Sequence, residues 1–548
     1  TPSEWHAMKS FNWQNPYPSV RIPVFARNVV STSHPLAAQA GLKVLYDGGT
    51  AVDAAIAAAA VITLTEPVSC GLGGDAFAIV WHEGKAHGLN ASGHAPKAWT
   101  PDYFAAKYGR DPNGHARAPK RGVDAVTVPG VVAGWAALHD KFGRIPFADL
   151  MAPAAQIAKR GYAVPPVVAH KWAAAVPDLH DQPGFAEAFM PKGRAPKVGE
   201  RFCLPQAAKT FEQIGATKGR TMYDGEMAKR MVSHLQAHGG AHTLEDFAAY
   251  APQWVEPLSK SFRGYTLHEL PPNGQGIAAL MAIGILESFD LRQWPLDGVQ
   301  SQHLQIEAMK LAFADLYRYV SDPASMTVTP EQMLAPEYLA SRAKLIDPER
   351  ATDFGPGVPD AGGTIYLTAA DESGMMISFI QSNYMGFGSG VVVPETGISL
   401  QNRGCGFSMD EASPNVVGPH KRPFHTIIPG FLSRAGQPVM SFGVMGGDIQ
   451  PQGHLQTLVR MLDYDQQPQA ACCAPRWKLN RDFTLDVEAT MDPAVVDGLK
   501  AKGHVLKSIE DPYMDFGSGQ FLWRLSEDLE DGYVAASDSR RDGQAAGF

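Results

Sequence analysis

Apolar residues recur at helical spacing near the start of the chain. Leu36, Ala40 and Val44 follow a proline that suits a first helical turn, and a Gly-Gly pair then ends the pattern. Thr50-Ala-Val-Asp53 comes next and has the form of a capping box, which opens a second helix. This second helix is apolar on nearly every side. The sequence therefore predicts two consecutive helices, with the second buried between layers.

Short runs of apolar residues then predict strands. Residues 77–81 and 85–89 predict a short strand pair, and 264–270 predicts a further strand. The region 128–250 between them is mostly helical in pattern, and 302–319 is a strongly periodic helix with one apolar face. Strands and helices thus alternate along the first part of the chain.

The character of the chain changes after residue 350. Residues 351–363 hold two prolines and four glycines, which predicts a flexible connector. Thr364–Ala370 and Met375–Ser382 follow as two β-type runs joined by a short polar turn, which predicts a hairpin. Residues 1–30, in contrast, are expected to be irregular. The remaining predicted elements are strands near 390–400, 426–433, 438–444, 483–488, 520–525 and 533–536, and a helix over about 452–464. Because strands and helices are mixed throughout, the predicted class is α/β or α+β with a large sheet core.

Composition and charge narrow the range of partners. Hydrophobic residues make up 45% of the 548 residues and charged residues 19%, as in ordinary globular proteins. The net charge of -9 makes nucleic acid an unlikely partner, because an acidic surface repels phosphates. The longest apolar run, Ala54–Leu64, is far shorter than the roughly 20 residues of a membrane span. The five cysteines have no disulfide spacing, which favours reduced thiols and a cytoplasmic location; the periplasm stays open if a signal peptide has been removed.

Thr364 is the first candidate for chemistry. A threonine hydroxyl needs an adjacent base to act as a nucleophile. If the peptide bond before Thr364 is cleaved, the α-amine of the same residue becomes that base, since its reference pKa is about 7.7–8.0. The preceding glycines, 362 and 363, allow the strained backbone that such a cleavage needs. The alternative interpretation is that Gly-Gly-Thr only begins a strand.

A second candidate lies in the segment Phe442–Asp448. Gly446 and Gly447 follow a predicted strand and precede a predicted helix, where backbone N–H groups can face an oxyanion. An ordinary turn is the alternative. His238 and His242 flank a Gly-Gly pair that disfavours a helix, so a metal site is not expected there. The sequence predicts neither a metal nor an organic cofactor.

Several further motifs together resemble the γ-glutamyltransferase family over most of the chain. They are Gly48-Gly-Thr-Ala-Val-Asp-Ala-Ala55, Glu66-Pro67 with Gly71-Leu-Gly-Gly74, Pro271-Pro-Asn-Gly-Gln-Gly276, Glu307-Ala-Met-Lys-Leu-Ala-Phe-Ala-Asp315 and Asn415-Val-Val-Gly-Pro-His-Lys-Arg-Pro423. The resemblance implies a four-layer αββα sandwich of the N-terminal-nucleophile (Ntn) hydrolase type. It also implies a precursor that cuts itself between Gly363 and Thr364 into a large piece, 1–363, and a small piece, 364–548.

The resemblance also implies roles for individual residues. Thr364 is the nucleophile, and Gly446 and Gly447 form the oxyanion hole. Ser382 is close to the position of a hydroxyl that supports the nucleophile, and an alignment shifted by one residue would place Gln381 there instead. Asn383 resembles an asparagine that lines the substrate site.

The sequence departs from the family where the family holds the amino-acid end of a γ-glutamyl group. Ser92 takes the place of an arginine, Gly406 that of an aspartate, and His425-Thr426 that of two serines. Loss of the arginine removes a bidentate carboxylate clamp. Loss of the aspartate removes the partner of an α-ammonium.

These departures predict a different acyl group. The segment 408–421 is also shorter than the family's lid-bearing version, which predicts a more open pocket. The expected substrate has a carboxylate but no α-amine, as in the cephalosporin-acylase-like and oxamate-hydrolase-like branches. The residues expected to bind it are His94, Arg403, His425 and Thr426.

The leading hypothesis is thus a self-processing amidohydrolase or acylase that acts on a small-molecule amide. One alternative is a true γ-glutamyltransferase that holds the acid end with other residues. Another is a relative that stays uncut and only binds a ligand. The two pieces of one precursor are the expected partners of each other, and a homo-oligomer is left open.

Overall fold

The computed structural model describes residues 9–17, 19–354, 363–507 and 516–548. The strands of the described residues are β1 (Val24–Ala26), β2 (Val29–Thr32), β3 (Asp75–His82), β4 (Lys85–Ala91), β5 (Tyr162–Ala163), β6 (Arg201–Phe202), β7 (Gln253–Val255), β8 (Leu258–Phe262), β9 (Tyr265–Glu269), β10 (Gly363–Ala370), β11 (Met376–Tyr384), β12 (Val392–Val393), β13 (Ile398–Ser399), β14 (Gly430–Arg434), β15 (Gln437–Met445), β16 (Trp477–Leu479), β17 (Leu485–Val487), β18 (Leu506–Lys507), β19 (Ser518–Arg524), β20 (Tyr533–Ser537) and β21 (Gln544–Gly547).

The α-helices of the described residues are α1 (Pro35–Tyr46), α2 (Ala51–Thr65), α3 (Pro101–Tyr108), α4 (Val131–Phe142), α5 (Phe147–Arg160), α6 (Pro166–Leu179), α7 (Phe185–Phe189), α8 (Gln206–Thr217), α9 (Thr221–Asp224), α10 (Glu226–Ala237), α11 (Leu244–Ala248), α12 (Gly276–Leu286), α13 (Val299–Tyr319), α14 (Pro330–Met333), α15 (Pro336–Ala343), α16 (Ile449–Leu458), α17 (Pro468–Cys473) and α18 (Pro493–Ala501).

Two seven-stranded sheets form the centre of the molecule. The first has the strand order β21-β2-β10-β11-β3-β4-β7, and the second has the order β1-β20-β19-β15-β14-β9-β8. The sheets meet where β10 and β11 of the first contact β15 and β19 of the second. Helices α2 and α4 pack on the first sheet, and α12, α16 and α17 pack on the second. The predicted αββα sandwich is therefore confirmed.

The local signals of the sequence explain how the first helices form. The side chain of Thr50 accepts a hydrogen bond from the backbone of Asp53, and the Asp53 carboxylate accepts one from Thr50, so the predicted capping box is present. Every residue of α2 is buried, as its apolar sequence predicts. The predicted hairpin after residue 363 is β10 and β11, which lie at the centre of the first sheet.

Some predicted elements differ from the structure. Residues 24–26 and 29–32 are strands, although the N-terminal 30 residues were expected to be irregular, because they pair with β20 and β10 from distant parts of the chain. The strand expected over 390–400 is two separate pairs of residues, β12 and β13. Of the expected connector 351–363, positions 355–362 lie outside the described residues.

The structure bears on the expected absence of a membrane span and of disulfides. No helix of the described residues is long and apolar enough to cross a membrane. None of the five cysteines, which all lie among the described residues, forms a disulfide, as their irregular spacing predicts.

Candidate active site

Thr364 lies at the start of β10, in the middle of the first sheet. Its register with β11 shifts between Gly363 and Ile365, so that β11 contributes one extra residue opposite Thr364. A bulge of this kind changes the direction of side chains locally. The Thr364 side chain is buried, with 1% of the residue exposed.

The hydroxyl of Ser382, which the bulge places opposite Thr364, is the centre of a hydrogen-bond network. The Thr364 hydroxyl donates to it over 3.1 Å, and the Tyr384 N–H donates over 2.8 Å. Nη2 of Arg403 donates over 3.0 Å. Ser382 itself donates to the carbonyl oxygen of Gly363 over 2.7 Å. Because three donors surround its oxygen, the Ser382 proton is directed at the Gly363 carbonyl.

Gln381, the other residue considered for this position, lies on the opposite face of β11. Its amide donates to the carbonyl of Ala59 over 3.0 Å and accepts from the Trp135 indole over 3.2 Å. It therefore packs against α2 and α4, away from Thr364, because successive side chains on a strand alternate between faces.

Arg403 is a buried cation beside this network, with 1% of the residue exposed. Its Nη1 donates to the Thr426 hydroxyl over 2.8 Å, and its guanidinium lies 4.2 Å from the centre of the Tyr384 ring. No carboxylate of the described residues lies within ion-pair distance of it, and its Nε has no hydrogen-bond partner there. Burial lowers the pKa of the guanidinium to about 10. A buried cation without an anion is costly unless an anion joins it.

His425 is a neutral neighbour of this cation. Burial, followed by the charge of Arg403, lowers the pKa of its imidazole to about 4. Its Nε2 lies 2.9 Å from the carboxylate of Asp75, so Nε2–H donates to Asp75. The carboxylate also accepts from the N–H of Gly130 over 3.3 Å. Asp75 is thus already occupied by partners from the protein.

The Gly446-Gly447 pair connects β15 to α16 in conformations that favour glycine. Gly446 has φ 129° and Gly447 has φ 64°. Among the hydrogen bonds of the described residues, neither N–H has an acceptor. The side chain of Gln275 donates to the carbonyl of Gly447 over 3.0 Å and to that of Thr426 over 2.5 Å. Through these two bonds the glycine turn is tied to the segment before β14 that carries His425 and Thr426.

Asn383 follows Ser382 on β11, in the bulge opposite Thr364, and is fully buried. Its Nδ2 donates to the Ser399 hydroxyl over 3.2 Å, and its Oδ1 is a buried acceptor without a partner among the described residues. A Cβ added at Gly74 would lie 2.7 Å from that oxygen, and one at Gly71 would lie 2.9 Å from Nδ2. The glycines of the 71–74 motif therefore give Asn383 the room it occupies.

His94 lies in a different group of contacts from Thr364. Its ring stacks on Tyr250 at 5.7 Å and lies 5.3 Å from that of His420, and its Nδ1 is 3.1 Å from the carbonyl of Ala95. Burial lowers the pKa of its imidazole. Arg403, through Ser382 and Thr426, thus belongs to the same network as Thr364, with His425 next to it, whereas the contacts of His94 are with Tyr250, His420 and Ala95.

Two of the three places where the sequence is expected to depart from the family pattern, Ser92 and Gly406, have local packing explanations. The Ser92 hydroxyl donates to Oδ1 of Asn90 over 2.6 Å and accepts from Asn273 over 3.2 Å, so a polar network fills the place of the arginine. A Cβ at Gly406 would lie 2.8 Å from the carbonyl of Phe424, which leaves no space for an aspartate.

Two charged residues of this region were not found by sequence reasoning. Asp448 follows the glycine pair directly, and Arg481 binds its carboxylate through two hydrogen bonds of 2.7 and 3.0 Å. The position of Asp448 next to the glycines was a signal in the sequence. Arg481 had none, because it comes from a turn 33 residues further along the chain. Among the described residues, no cluster of His, Cys, Asp and Glu has the arrangement of a metal site.

Known proteins resemble this chain over nearly its full length. The sequence model of the family described as gamma-glutamyltranspeptidase matches residues 37–548. A glutathione hydrolase-like YwrD proenzyme from Bacillus subtilis is 36% identical, over 95% of this chain and 98% of its own. An oxamate amidohydrolase proenzyme from Klebsiella pneumoniae is also 36% identical, over 94% and 97% of the two chains. The crystal structure of a cephalosporin acylase from Bacillus halodurans superposes with a TM-score of 0.92 at 45% identity and covers 99% of both chains.

Proposed function

Because the chain belongs to the γ-glutamyltranspeptidase family, whose enzymes hydrolyse amides or transfer their acyl groups, we propose that it is a self-processing amidohydrolase with Thr364 as its nucleophile. The observation that carries this proposal is the chain of hydroxyl groups at the start of β10. The Thr364 hydroxyl donates to Ser382, and Ser382 donates to the carbonyl oxygen of Gly363. The nucleophile and the bond it would cut are therefore joined through one side chain.

Self-cleavage begins when Oγ1 of Thr364 attacks the carbonyl carbon of Gly363. The Gly363–Thr364 C–N bond breaks, the nitrogen takes up the proton, and an ester links Gly363 to the threonine side chain. The Ser382 hydroxyl donates a hydrogen bond to the carbonyl oxygen of Gly363 as that oxygen becomes negative, which stabilises the tetrahedral intermediate. Water then hydrolyses the ester and leaves a carboxylate on Gly363 and a free amine on Thr364.

The processed enzyme uses the same hydroxyl on an external amide. The α-amine of Thr364 takes the hydroxyl proton as the oxygen attacks, and it passes the proton to the leaving nitrogen. The N–H groups of Gly446 and Gly447, which have no acceptor among the described residues, bind the oxyanion. Water resolves the acyl-enzyme, and the scheme requires neither a metal nor an organic cofactor.

The substrate is an amide whose acyl group carries a carboxylate but no α-amine. Arg403 is the reason to expect the carboxylate, because its buried guanidinium has no carboxylate partner in the described part of the chain and would gain one from the substrate. An α-amine on the acyl group is not expected, because it would need a carboxylate partner. The Asp75 carboxylate already binds His425 and Gly130. Of the relatives named above, the oxamate amidohydrolase acts on a substrate of this kind by its name.

Replacement of Thr364 tests the proposed nucleophile. The natural chain is expected to give two pieces of about 39 and 20 kDa on a denaturing gel, in proportion to their lengths within 59.0 kDa. Thr364→Ala is expected to stay whole and to lose all amide turnover, because it has no hydroxyl. Thr368→Ala, which removes a buried hydroxyl from the same strand, serves as control and should be cut normally. Amide turnover by Thr364→Ala would refute the proposal.

Substrates that differ only in the acyl end test the specificity. Glutaryl p-nitroanilide has the carboxylate alone, γ-glutamyl p-nitroanilide adds the α-amine, and pentanoyl p-nitroanilide has neither. We expect kcat/KM for the glutaryl compound to exceed that of the pentanoyl compound by about 100-fold, the value of one buried charge pair. The γ-glutamyl compound should be the poorer of the two charged substrates. Turnover of the γ-glutamyl compound alone would establish the γ-glutamyltransferase alternative instead.

A further inference from the structure

A carboxylate lies directly beyond the proposed oxyanion hole. Asp448 follows Gly447 and occupies the position before α16, where an aspartate ordinarily accepts hydrogen bonds from the first N–H groups of the helix. Here its side chain makes no such cap. Both of its oxygens are instead bound by Arg481, Nε to Oδ2 over 2.7 Å and Nη2 to Oδ1 over 3.0 Å.

This ion pair is shielded from water. The side chains of Arg481 and Asp448 are 12% and 7% exposed. The Arg481 guanidinium also lies 4.7 Å from the centre of the Tyr317 ring, which covers one of its faces. Tyr317 belongs to α13, while Arg481 lies in the turn between β16 and β17. The guanidinium is thus contacted by Tyr317 from the predicted large piece and by Asp448 from the predicted small piece.

The charge of Asp448 bears directly on the proposed chemistry. An oxyanion bound at Gly446 and Gly447 develops negative charge within one or two residues of this carboxylate, and two like charges repel strongly where water is excluded. A carboxylate free to turn back would also compete for the N–H groups that must bind the oxyanion. Arg481 prevents both effects, because it neutralises the carboxylate and holds it by two bonds.

We propose that Arg481 is a positioning residue for catalysis, which keeps the Asp448 carboxylate neutralised and turned away from the Gly446-Gly447 oxyanion hole. This role rests on the proposed function of the two glycines. It concerns turnover of external amides, since the oxyanion of self-cleavage contacts Ser382 instead. The two reactions therefore respond differently to the loss of Arg481.

The test compares Arg481→Met, Asp448→Asn and the double variant. Each is assayed on oxamate and on the glutaryl and γ-glutamyl anilides, with the fastest substrate of the natural enzyme as reference. Arg481→Met is expected to cut itself at the natural rate but to lose about 100-fold in kcat, as when one oxyanion donor is removed, with KM within twofold. The double variant, which has no carboxylate to neutralise, is expected to regain at least tenfold of that loss.

A control variant separates this role from plain stability. Arg263→Met breaks a comparable arginine–aspartate contact, 2.8 Å to Asp463, on the second sheet. It should lower the melting temperature without changing kcat. Arg481→Lys keeps the positive charge, and it replaces Arg481→Met in the test if Arg481→Met does not fold.

Three results would overturn the inference. In the first, Arg481→Met loses self-cleavage and amide turnover equally. In the second, the double variant is no more active than Arg481→Met. In the third, Asp448→Asn is as impaired as Arg481→Met. Each would mean that the ion pair serves only the fold. Failure of the proposed function is recognised separately, because Thr364→Ala would then hydrolyse amides whatever the Arg481 variants do.

Discussion

The hydroxyl of Ser382 has more donors than an oxygen with two lone pairs can accept fully. Thr364, Tyr384 and Arg403 all direct hydrogen atoms at it, and its own proton is left for the carbonyl of Gly363. Sequence reasoning reached this residue only as one of two, the other being Gln381. The bulge between β10 and β11 decides between them, and a shift of pairing by one residue is a property that the local sequence does not specify.

Substitution of Ser382 is expected to affect self-cleavage first. Ser382→Ala removes the donor to the Gly363 carbonyl, and the cleavage rate should fall by about 100-fold, the typical effect of losing one oxyanion donor. Ser382→Thr keeps the hydroxyl and should restore most of the rate. The measurement is the time course with which the two pieces appear on a denaturing gel after synthesis. Ser433→Ala, which removes a buried hydroxyl elsewhere in the protein, serves as the control. Cleavage of Ser382→Ala at the natural rate would contradict the role given to this side chain.

At the scale of the elements, the capping residue of α2 also makes contacts with a distant part of the chain. Asp53 completes the capping box through the N–H of Thr50 at 3.0 Å, as the sequence predicts. The same carboxylate also accepts from the backbone of Arg144 at 2.9 Å and of Ile145 at 3.0 Å. It therefore joins the start of α2 to the loop between α4 and α5. The sequence predicted the cap because its two partners are three residues apart. It could not predict the contact with the loop, because the loop lies about 90 residues away along the chain.

Loss of the Asp53 carboxylate is expected to cost more than the loss of a cap. Asp53→Ala leaves several buried N–H groups without an acceptor, and the free energy of unfolding should fall by about 3 kcal/mol. Asp102→Ala removes an acidic residue from the first turn of α3 whose side chain is 92% exposed, and it should cost under about 0.5 kcal/mol. Urea denaturation of both variants measures the difference. Equal losses would mean that the contacts of Asp53 with the loop contribute nothing.

At the scale of the molecule, the strands of the two predicted pieces are interleaved. β10 pairs with β2 on one side, and β11 pairs with β3 on the other, so the small piece supplies the centre of a sheet whose flanks come from the large piece. A cut before Thr364 falls at the edge of a strand in this sheet and leaves its pairing intact. The division into 1–363 and 364–548 stays a prediction.

The burial of neutral His425 predicts a dependence of stability on pH. Its folded pKa of about 4 lies below the reference value of 6.5, so the unfolded chain binds its proton first as the pH falls. The stability it contributes is present above pH 6.5 and is lost towards pH 4. Between pH 7.5 and 5 the free energy of unfolding should fall by about 2 kcal/mol more in the natural protein than in His425→Gln. Denaturant midpoints at the two pH values measure this, and an identical pH dependence of both proteins would contradict it.

The amino-acid sequence by itself determined the features whose partners are neighbours along the chain. These are the capped helix α2, the hairpin of β10 and β11, the threonine after two glycines and the glycine pair before α16. The tertiary structure alone decided which charges meet around them. Among the described residues it brings no carboxylate to Arg403, while it occupies Asp75 with His425 and turns Asp448 towards Arg481. The physical reason is that these energies depend on burial and on distances of about 3 Å between segments far apart in the chain, which only the packing of the two sheets and their helices sets.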